Sequence, residues 1–345
     1  MTQTFLVTGG AGFIGRALVK ALTARGDRVV VLDALTYAGH AMNLSGIKGD
    51  VTLVEGDIRD GAMVSALLDA HRPNGIFHLA AESHVDNSIA APAGFIDTNI
   101  NGSYMLLEAT RLYLAGCTAD ARSLFRYLHI STDEVYGALG EEGVFTPDSP
   151  LAPNSPYSAS KAASDLLARA WHKTYGLPVI ITRCSNNYGP YQHPEKLIPR
   201  MITNALNNEL LPVYGTGQQV RDWIHVDDHA AGIIAAYETG TPGAVYLFGG
   251  HNEVRNIDVV TYICDYLKTK HHAHEYHKLI THVTDRLGHD FRYAIDDDAS
   301  IASLGWKRRI TDFRQGLGDT IAWYLANREW VDTMQAHSHA KRSAA

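Results

Sequence analysis

The stretch Thr8-Gly9-Gly10-Ala11-Gly12-Phe13-Ile14-Gly15 follows a short apolar run at residues 5–7 and opens a helical pattern over residues 14–25. Its glycines at 9, 12 and 15 have the GxxGxxG spacing. A dinucleotide-binding turn needs one glycine for the tight turn, one for close approach of the backbone to a pyrophosphate, and one for packing of the helix on the sheet. The amides at the helix N-terminus then point at the phosphates. The stretch therefore predicts a dinucleotide site, and a structural glycine turn is the alternative for the motif taken alone.

Asp33 ends the second apolar run, at residues 28–32, and supplies a carboxylate that such a site needs. A carboxylate at this place binds both ribose hydroxyls of an adenosine and repels a 2′-phosphate. The predicted cofactor is therefore NAD rather than NADP. Asp57 and Ile58 follow the third apolar run and are placed to meet the adenine, although a solvated turn explains them equally well.

Strand and helix patterns alternate through the first half of the chain. The strand patterns are continuous apolar runs, which are typical of strands covered on both faces. This alternation predicts an α/β fold with a Rossmann-type doubly wound parallel sheet. The predicted strands cover residues 5–7, 28–32, 51–54, 75–79, 127–131 and 179–182, and the predicted helices cover residues 14–25, 62–70, 98–114 and 158–175.

The second half has denser glycine and proline, and its elements are mixed. Helical patterns cover residues 227–238 and 257–267, and a strand pattern covers 244–248. We expect an NAD-binding Rossmann domain at residues 1–185, to which a segment at about 218–240 returns. A smaller, discontinuous, mixed α/β substrate domain is expected at residues 186–330. The small and polar residues 336–345 predict a disordered tail.

The composition of the 345 residues is that of an ordinary globular protein, with 46% hydrophobic residues and a formal net charge of −7. Without a basic excess, neither nucleic acid nor an anionic membrane is expected as a main partner. No apolar run approaches the ~20 residues that span a bilayer, and the start lacks a secretory signal pattern. Cys117, Cys184 and Cys264 are odd in number and far apart, which favours a reducing, cytoplasmic location.

Tyr157 and Lys161 stand four residues apart where the helical pattern 158–175 begins, so they share one helix face. Lowering a tyrosine pKa from ~10 to ~7 takes about 4 kcal/mol of differential stabilisation. We expect the lysine and a positively charged nicotinamide to supply it. The tyrosine would then remove a proton from a sugar hydroxyl while a hydride leaves for NAD. A pair on the helix surface is the alternative when the glycine loop is left aside.

Thr132, Asp133 and Glu134 follow the predicted strand 127–131, at the edge where wound α/β sheets bind ligands. Thr132 offers a hydroxyl to the reacting group. Two adjacent acids can act as separate acid and base when their environments move their pKa values apart. A polar loop with a solvated pair of charges has equal weight on these residues alone.

Further motifs extend along the chain: DALTYAG (33–39), LAAESHVD (79–86), TN (98–99), STDEVYG (131–137), PNSPY (153–157), RCSNNYGP (183–190), PEKL (194–197), RDW (221–223) and DRLGHD (285–290). With them, the chain resembles the dTDP-glucose 4,6-dehydratase family of extended short-chain dehydrogenases over about residues 4–330. The glycine loop and the Tyr157/Lys161 pair mark the whole superfamily, whereas the acidic triplet is similar to the dehydratase branch. Residues 186–197 and the segment at 286–289 are similar to the dTDP-glucose enzymes. Leu287 stands where the family usually has proline, so a looser loop is expected there.

The resemblance implies an NAD-dependent lyase that converts dTDP-glucose to dTDP-4-keto-6-deoxyglucose, on the way to rhamnose and other deoxysugars. In the implied mechanism Tyr157 deprotonates the C4 hydroxyl as the C4 hydride passes to NAD. Glu134 then removes the C5 proton, Asp133 protonates the leaving C6 hydroxyl, and the hydride returns to C6. The implied cofactor contacts, besides those named above, are Phe13, Ile14, Ala34, Leu35, Thr36, Leu79, Ala80, Ala81, Ser83, Thr98 and Asn187.

The expected substrate contacts follow from the chemistry of a sugar nucleotide. A diphosphate needs cations, and Arg221 and Arg286 can bind phosphate oxygens in bidentate fashion. Pro212, Val213 and Tyr214 offer an apolar surface with a hydroxyl, which suits thymine and its deoxyribose. The other predicted contacts, each with a structural role as its alternative, are Ser83, Thr132, Asn186, Lys196, Leu197, Asn256, Asp285 and His289.

Two other functions compete with the dehydratase. A sugar-nucleotide 4-epimerase would share NAD and the Tyr157/Lys161 pair, but it has no need of Asp133 and Glu134. A non-catalytic NAD-binding regulator would be free to lose all of these side chains, yet all are present.

The sequence also leads to predictions about assembly and metal binding. Helices equivalent to 98–114 and 158–175 pair into a four-helix bundle in related enzymes, so a homodimer is expected, although the same apolar stripes would serve a monomer core. The cluster His271, His272, His274 and His277 has irregular spacing. We interpret it as a solvated turn and predict no metal site.

Overall fold

Strands and helices alternate in the computed structural model, which describes residues 2–344, with side chains as far as residue 338. Three short 3-10 helices lie at Ala41–Leu44, Asp133–Tyr136 and Tyr276–Leu279, and a π-helix lies at Ile96–Gly102. The strands are β1 Thr4–Thr8, β2 Arg28–Asp33, β3 Val51–Glu55, β4 Gly75–His78, β5 Arg126–Thr132, β6 Val179–Cys184, β7 Asn186–Tyr188, β8 Leu211–Tyr214, β9 Val220–His225, β10 Val245–Phe248, β11 Glu253–Arg255 and β12 Ile280–Val283. The α-helices are α1 Phe13–Ala24, α2 Gly61–His71, α3 Val85–Ala90, α4 Ala93–Phe95, α5 Ser103–Ala115, α6 Ala119–Leu124, α7 Pro156–Tyr175, α8 Leu197–Leu206, α9 Val226–Thr239, α10 Asn256–Lys270, α11 Asp298–Leu304, α12 Phe313–Ala326 and α13 Arg328–Ala344.

The central sheet has seven strands in the order β10-β6-β5-β4-β1-β2-β3. Every neighbouring pair in it is parallel. The chain first adds strands on one side of β1 and then on the other, so the order reverses between β1 and β4. Ligands of wound sheets bind at such a reversal, outside the carboxyl ends of the strands. The predicted Rossmann-type parallel sheet is confirmed.

Two hydrophobic cores cover the faces of this sheet, because alternate strand residues point to opposite sides. Phe5 and Val7 of β1 face a core that contains residues of α1 and α9, such as Leu22 and Ile233. Leu6, between them in sequence, faces the other core, which α2, α5 and α7 cover. We call the sheet and these helices the first lobe.

A separate core gathers α8, α10, α12 and the start of α13. Two small sheets adjoin it, β11-β9-β7 and β12-β8, and we call this unit the second lobe. Helix α9 returns to the first lobe within the expected segment 218–240, and β10 returns beyond that segment. The division at residues 185 and 186 stays a prediction.

The predicted helix 98–114 is confirmed, but its first part is the π-helix Ile96–Gly102. This segment positions Asn99, which donates from Nδ2 to the carbonyl oxygen of Glu82 and to Oγ of Ser160. A π-helical turn is frequent at functional sites. Here it ties the loop after β4 to α7.

The prediction of a disordered tail over residues 336–345 is wrong for the described part, because α13 continues through Ala344. Alanine favours the helix. The small hydroxyl of Ser338 also fits a buried site beside His193. Ala345 lies outside the described residues. Across residues 2–344 we find no helix with the length and apolar character that crossing a membrane requires.

Candidate active site

A cleft of about 1700 Å³, including its opening to solvent, lies at the carboxyl ends of β1, β2, β4, β5 and β6. It contains every predicted cofactor residue except Leu35. Of the predicted catalytic residues, only Asp133 is absent from its walls. Predicted residues in the lining are Gly9, Gly12, Phe13, Ile14, Gly15, Asp33, Ala34, Thr36, Asp57, Ile58, Leu79, Ala80, Ala81, Ser83, Thr98, Thr132, Glu134, Tyr157, Lys161, Asn186, Asn187 and Lys196.

The glycine loop leaves no room for side chains where the backbone must pass closely. Gly9 has φ +71°, and a Cβ there would lie 2.6 Å from the amide nitrogen of Ala80. A Cβ on Gly15 would lie 2.1 Å from the carbonyl oxygen of Gly9. Gly12, at the N-terminus of α1, has no side chain to cap the helix, and Gly12 to Gly15 all line the cleft. This cradle fits the pyrophosphate of a dinucleotide.

Gly15→Ala is expected to raise the dissociation constant for NAD by roughly ten- to a hundredfold, because overpacking a tight site costs about 1–3 kcal/mol. Titration of the purified variant with NAD measures this. Gly94→Ala is the matched control, since a Cβ at Gly94 meets nothing within 4 Å. Equal NAD affinity of the two variants would contradict the role given to Gly15.

Asp33 is buried at the end of β2, and its carboxylate is fixed by two backbone amides. Oδ2 accepts from the amide of Ala11 and Oδ1 from the amide of Leu35, both at 2.9 Å. Burial raises the pKa of Asp33, and the two amide hydrogen bonds oppose that rise. Leu35 has φ +46° and serves the site through its backbone. The cofactor contact of Leu35 stays a prediction.

The first two turns of α7 carry Tyr157 and Lys161 into the cleft. The hydroxyl of Ser155 caps this helix by accepting from the amide of Ser158 at 3.1 Å. The ammonium of Lys161 donates to the carbonyl oxygen of Ile130 at 2.8 Å.

The pKa of Tyr157 is raised well above its usual value by burial, and the nearby Glu134 raises it further. Burial lowers the pKa of Lys161. The combined effect of Lys161 and a bound nicotinamide on this pKa stays a prediction, and in the structure burial of the phenol is the largest influence on it.

Asp133 and Glu134 begin the 3-10 helix that follows β5, and they lie in different environments. The pKa of Asp133, 2% exposed, is raised well above its usual value by burial and then by the charges of Glu134 and Asp222. The hydroxyl of Thr132 lies 3.3 Å from Oδ1 of Asp133 and links it to the cleft. Within the described residues, Oδ2 of Asp133 has no hydrogen-bond partner.

Burial also raises the pKa of Glu134, but three cations oppose that rise. They are Arg286, Arg221 and Lys196, in order of effect. The two neighbouring acids therefore differ: Asp133 is held as the neutral acid, and Glu134 is the one that cations stabilise as a carboxylate.

Of the predicted phosphate-binding arginines, Arg221 is the more constrained. It is 6% exposed, and its guanidinium donates to the carbonyl oxygens of Val220, Phe291 and Asp290. Arg286 is half-buried, pairs with Asp86 at 3.6 Å, and has an Nε without a partner in the described part of the chain. Arg286 is therefore the freer of the two to bind an anion.

Other predicted substrate residues surround these cations. Lys196 donates to the carbonyl oxygen of Ser83 at 2.8 Å, and His289 pairs with Asp285 at 2.6 Å. Asn256 begins α10 with Oδ1 unpaired among the described side chains. Leu197 begins α8 and packs against the second-lobe core. Leu287, where a looser loop is predicted, is 77% exposed beside the Asp285–His289 bond.

The three consecutive residues of β8 that were predicted to hold thymine do not point to the same face of the strand. Its alternation places Pro212 and Tyr214 on one face and buries Val213 in the second-lobe core. The substrate contact of Val213 stays a prediction. The Tyr214 hydroxyl donates to Asp86 at 2.9 Å, and Asp86 is also the partner of Arg286.

Sequence reasoning missed several residues of the cleft wall. Tyr37 belongs to the 33–39 motif, and its hydroxyl lies 3.3 Å from Oγ of Ser83. Arg59 pairs with Asp57 at 2.7 Å, so Asp57 enters the site as half of an ion pair. The remaining missed wall residues include Glu82, Gln192 and His193. Their polarity beside known motifs was the available signal.

A group of one histidine and two aspartates with possible metal-binding geometry lies away from the histidine cluster at residues 271–277. Among the described residues, the ligand atoms of His251, Asp297 and Asp298 lie within 4.8 Å of one another. The Asp297 carboxylate is already paired with Arg308 at 2.5 Å. In the cluster that the sequence drew attention to, His277 pairs with Asp265 at 2.8 Å.

The chain matches known proteins over almost its whole length. The family model described as GDP-mannose 4,6 dehydratase matches residues 6–320. A dTDP-glucose 4,6-dehydratase from Xanthomonas campestris pv. campestris (strain B100) is 54% identical over 334 residues, covering 95% of each chain. The dTDP-glucose 4,6-dehydratase 1 of Escherichia coli (strain K12) is 49% identical over 347 residues, covering 97% of this chain and 96% of its own.

Solved structures with a similar fold also match almost the whole chain. DesIV from Streptomyces venezuelae, a dTDP-glucose 4,6-dehydratase with NAD and TYD bound, has a TM-score of 0.87 and 45% identity. The match covers 96% of this chain and 99% of that one. The UDP-glucose 4-epimerase of Thermotoga maritima, with UDP-glucose, has a TM-score of 0.83 and 28% identity, covering 94% and 99%.

Proposed function

This chain belongs to the dTDP-glucose 4,6-dehydratase family, and from that premise we propose that Tyr157, Glu134 and Asp133 carry its chemistry. The enzyme is an NAD-dependent lyase that converts dTDP-glucose to dTDP-4-keto-6-deoxyglucose. The chemistry that NAD supplies when bound is transfer of a hydride from C4 of the sugar and its return to C6. The glycine cradle and the fixed carboxylate of Asp33 fit this cofactor.

The first step needs a base at the C4 hydroxyl, and Tyr157 is the proposed base. Burial holds its phenol neutral, so Tyr157 acts as a base only when further positive charge lies beside it in the cleft. Lys161, fixed by the carbonyl oxygen of Ile130, keeps an ammonium one helical turn away. Thr132, in the same wall, is proposed to orient the hydroxyl.

The second step removes water across C5 and C6. The ketone at C4 acidifies the C5 proton, and Glu134 takes it as the carboxylate that Arg286, Arg221 and Lys196 favour. Asp133, neutral because of its burial, gives its proton to the C6 hydroxyl, which leaves as water. Glu134 returns the proton to C5 as C6 is reduced. The net change is loss of one water.

The opposed environments of Asp133 and Glu134 are the observation that carries this proposal. A 4-epimerase oxidises and reduces C4 and needs neither a C5 base nor a C6 acid. A general acid and a general base at adjacent positions therefore favour elimination over epimerisation. The fold alone does not distinguish the two reactions, because it also resembles that of the UDP-glucose 4-epimerase. We also propose that Arg286 and Lys196 bind the diphosphate, with Tyr214 at the base.

Incubation with dTDP-glucose and NAD tests the proposal. We expect a 4-keto-6-deoxy sugar, seen as an alkali-induced chromophore, and slower turnover of UDP-glucose in a parallel reaction. A product epimerised at C4 would favour the epimerase. NAD binding without turnover of either sugar nucleotide would favour a non-catalytic regulator.

We further propose a homodimer through α5 and α7, in a cytoplasmic location. Tyr104 and Leu112 on α5 are exposed, as are Leu166 and Tyr175 on α7. These apolar side chains would be covered by the same helices of a second copy. The free thiols of all three cysteines are consistent with a reducing compartment. Sedimentation of the purified protein at the mass of one chain would contradict the dimer.

A further inference from the structure

The C-terminal helix α13 extends from the second lobe to the wall of the cofactor cleft. Trp330, Val331 and Met334 are buried in the second-lobe core. Farther along the same helix, His337 and Ser338 lie against residues 36 and 37, which belong to the loop after β2 of the first lobe. The helix therefore contacts both lobes.

The contacts of His337 and Ser338 reach three residues of the cleft lining. His337 donates from Nε2 to the carbonyl oxygen of Thr36 at 2.8 Å. The hydroxyl of Ser338, 8% exposed, lies 2.7 Å from Nε2 of His193 and 3.4 Å from the carbonyl oxygen of Tyr37. Thr36, Tyr37 and His193 all line the cleft.

A second route leads from α13 to the glycine loop. Trp330 donates from Nε1 to Oδ1 of Asn43 at 2.9 Å, and Nδ2 of Asn43 donates to the carbonyl oxygen of Ala11 at 2.7 Å. The amide of Ala11 then donates to Asp33. Three hydrogen bonds therefore connect the indole of α13 to the carboxylate at the ribose end of the cleft.

Both routes end at the adenosine side of the cleft, the first on the loop that follows Asp33 and the second on Asp33 itself, through the glycine loop. We propose that Trp330, His337 and Ser338 are positioning residues that hold the two lobes together across this end and slow the release of NAD. We call these three residues the C-terminal strap. Because the reaction returns the cofactor to its starting redox state, turnover does not require release, and slow exchange carries no cost in rate. The inference rests on the proposed function only in taking NAD as the cofactor.

The double variant His337→Ala/Ser338→Ala tests the strap without introducing a helix breaker. We expect its dissociation rate and dissociation constant for NAD to rise by about tenfold, because the hydrogen bonds of the buried Ser338 and the partly exposed His337 are lost. Turnover with saturating added NAD should change by less than about twofold, since the strap does not contact the reacting atoms. Asp332→Ala, at an exposed position of the same helix, is the matched control.

A second variant, Trp330→Phe, keeps an aromatic ring in the core but removes the indole N–H together with part of the bicyclic ring. We expect faster NAD release there as well. Release rates equal to those of the control in both variants would overturn the proposal. A fall in melting temperature with unchanged NAD release would also overturn it, because that result assigns the helix a purely structural role. NAD release is measured without a sugar nucleotide, so it stays readable whether or not dTDP-glucose is turned over.

Discussion

Glu134→Gln is expected to lower turnover of dTDP-glucose by about 10²–10⁴-fold while leaving oxidation at C4 measurable. Glutamine keeps the size and polarity of the side chain, but it cannot accept the C5 proton. Absorbance of the reduced nicotinamide would then appear on mixing with substrate. In deuterated water, nuclear magnetic resonance should detect no exchange of the C5 proton with solvent.

Glu141→Gln is the control for this change, since Glu141 is exposed on the loop after the catalytic turn. It should behave as the unchanged enzyme in both measurements. Unchanged turnover in Glu134→Gln, or continued exchange at C5, would remove Glu134 from the role of base.

Asp133→Asn is expected to lower turnover by a similar 10²–10⁴-fold and yet make the fold more stable. Its carboxyl is buried with like charges, and this raises its pKa in the folded state. The folded protein therefore binds the proton more tightly than the unfolded chain, and ionisation destabilises the fold. Removing the ionisable group should gain about 1–2 kcal/mol, or roughly 2–4 °C per kcal/mol in melting temperature.

The stability gain of Asp133→Asn should depend on pH in a definite direction. Below about pH 4, the carboxyl is protonated in both the folded and the unfolded chain. Its ionisation then contributes nothing to the difference in melting temperature between the original protein and the variant. As the pH rises above that value, the unfolded chain releases its proton first, so the original protein loses stability relative to the variant. Asp69→Asn, on the exposed face of α2, should give no such trend. A variant that melts lower than the original protein at pH 8 would contradict a buried neutral Asp133.

The first lobe was predictable from sequence because its elements have strong local patterns. The strand 28–32 and the helix 14–25 differ from β2 and α1 by about one residue at either end. Residues of β2 are buried on both faces of the central sheet, and the apolar face of α1 packs on one of those faces. The hydrophobic periodicity of each segment therefore matches its burial. The need for glycine at positions 9 and 15 was also predictable. These positions belong to a motif with fixed spacing, in which glycine allows the backbone to pass close to other backbone atoms.

The second lobe and the electrostatics were less predictable. Helices α8, α12 and α13 were not predicted, and their stability depends on a core built from distant segments. The burial of Val213 and the engagement of Arg221 with three backbone carbonyls depend on tertiary contacts that spacing does not encode. The high pKa of Tyr157 likewise results from desolvation, which a helical spacing of four residues does not reveal.

Strand β10 has a consequence for how the protein is made. It pairs with β6 at the edge of the central sheet, although the chain between them builds β7, β8, β9 and α9 first. During synthesis, a nascent chain ending near residue 185 would expose the edge of β6 and the apolar surface that α9 covers. The nucleotide-binding half should therefore need its later segments before it is stable, and a fragment cut at that boundary should aggregate rather than fold.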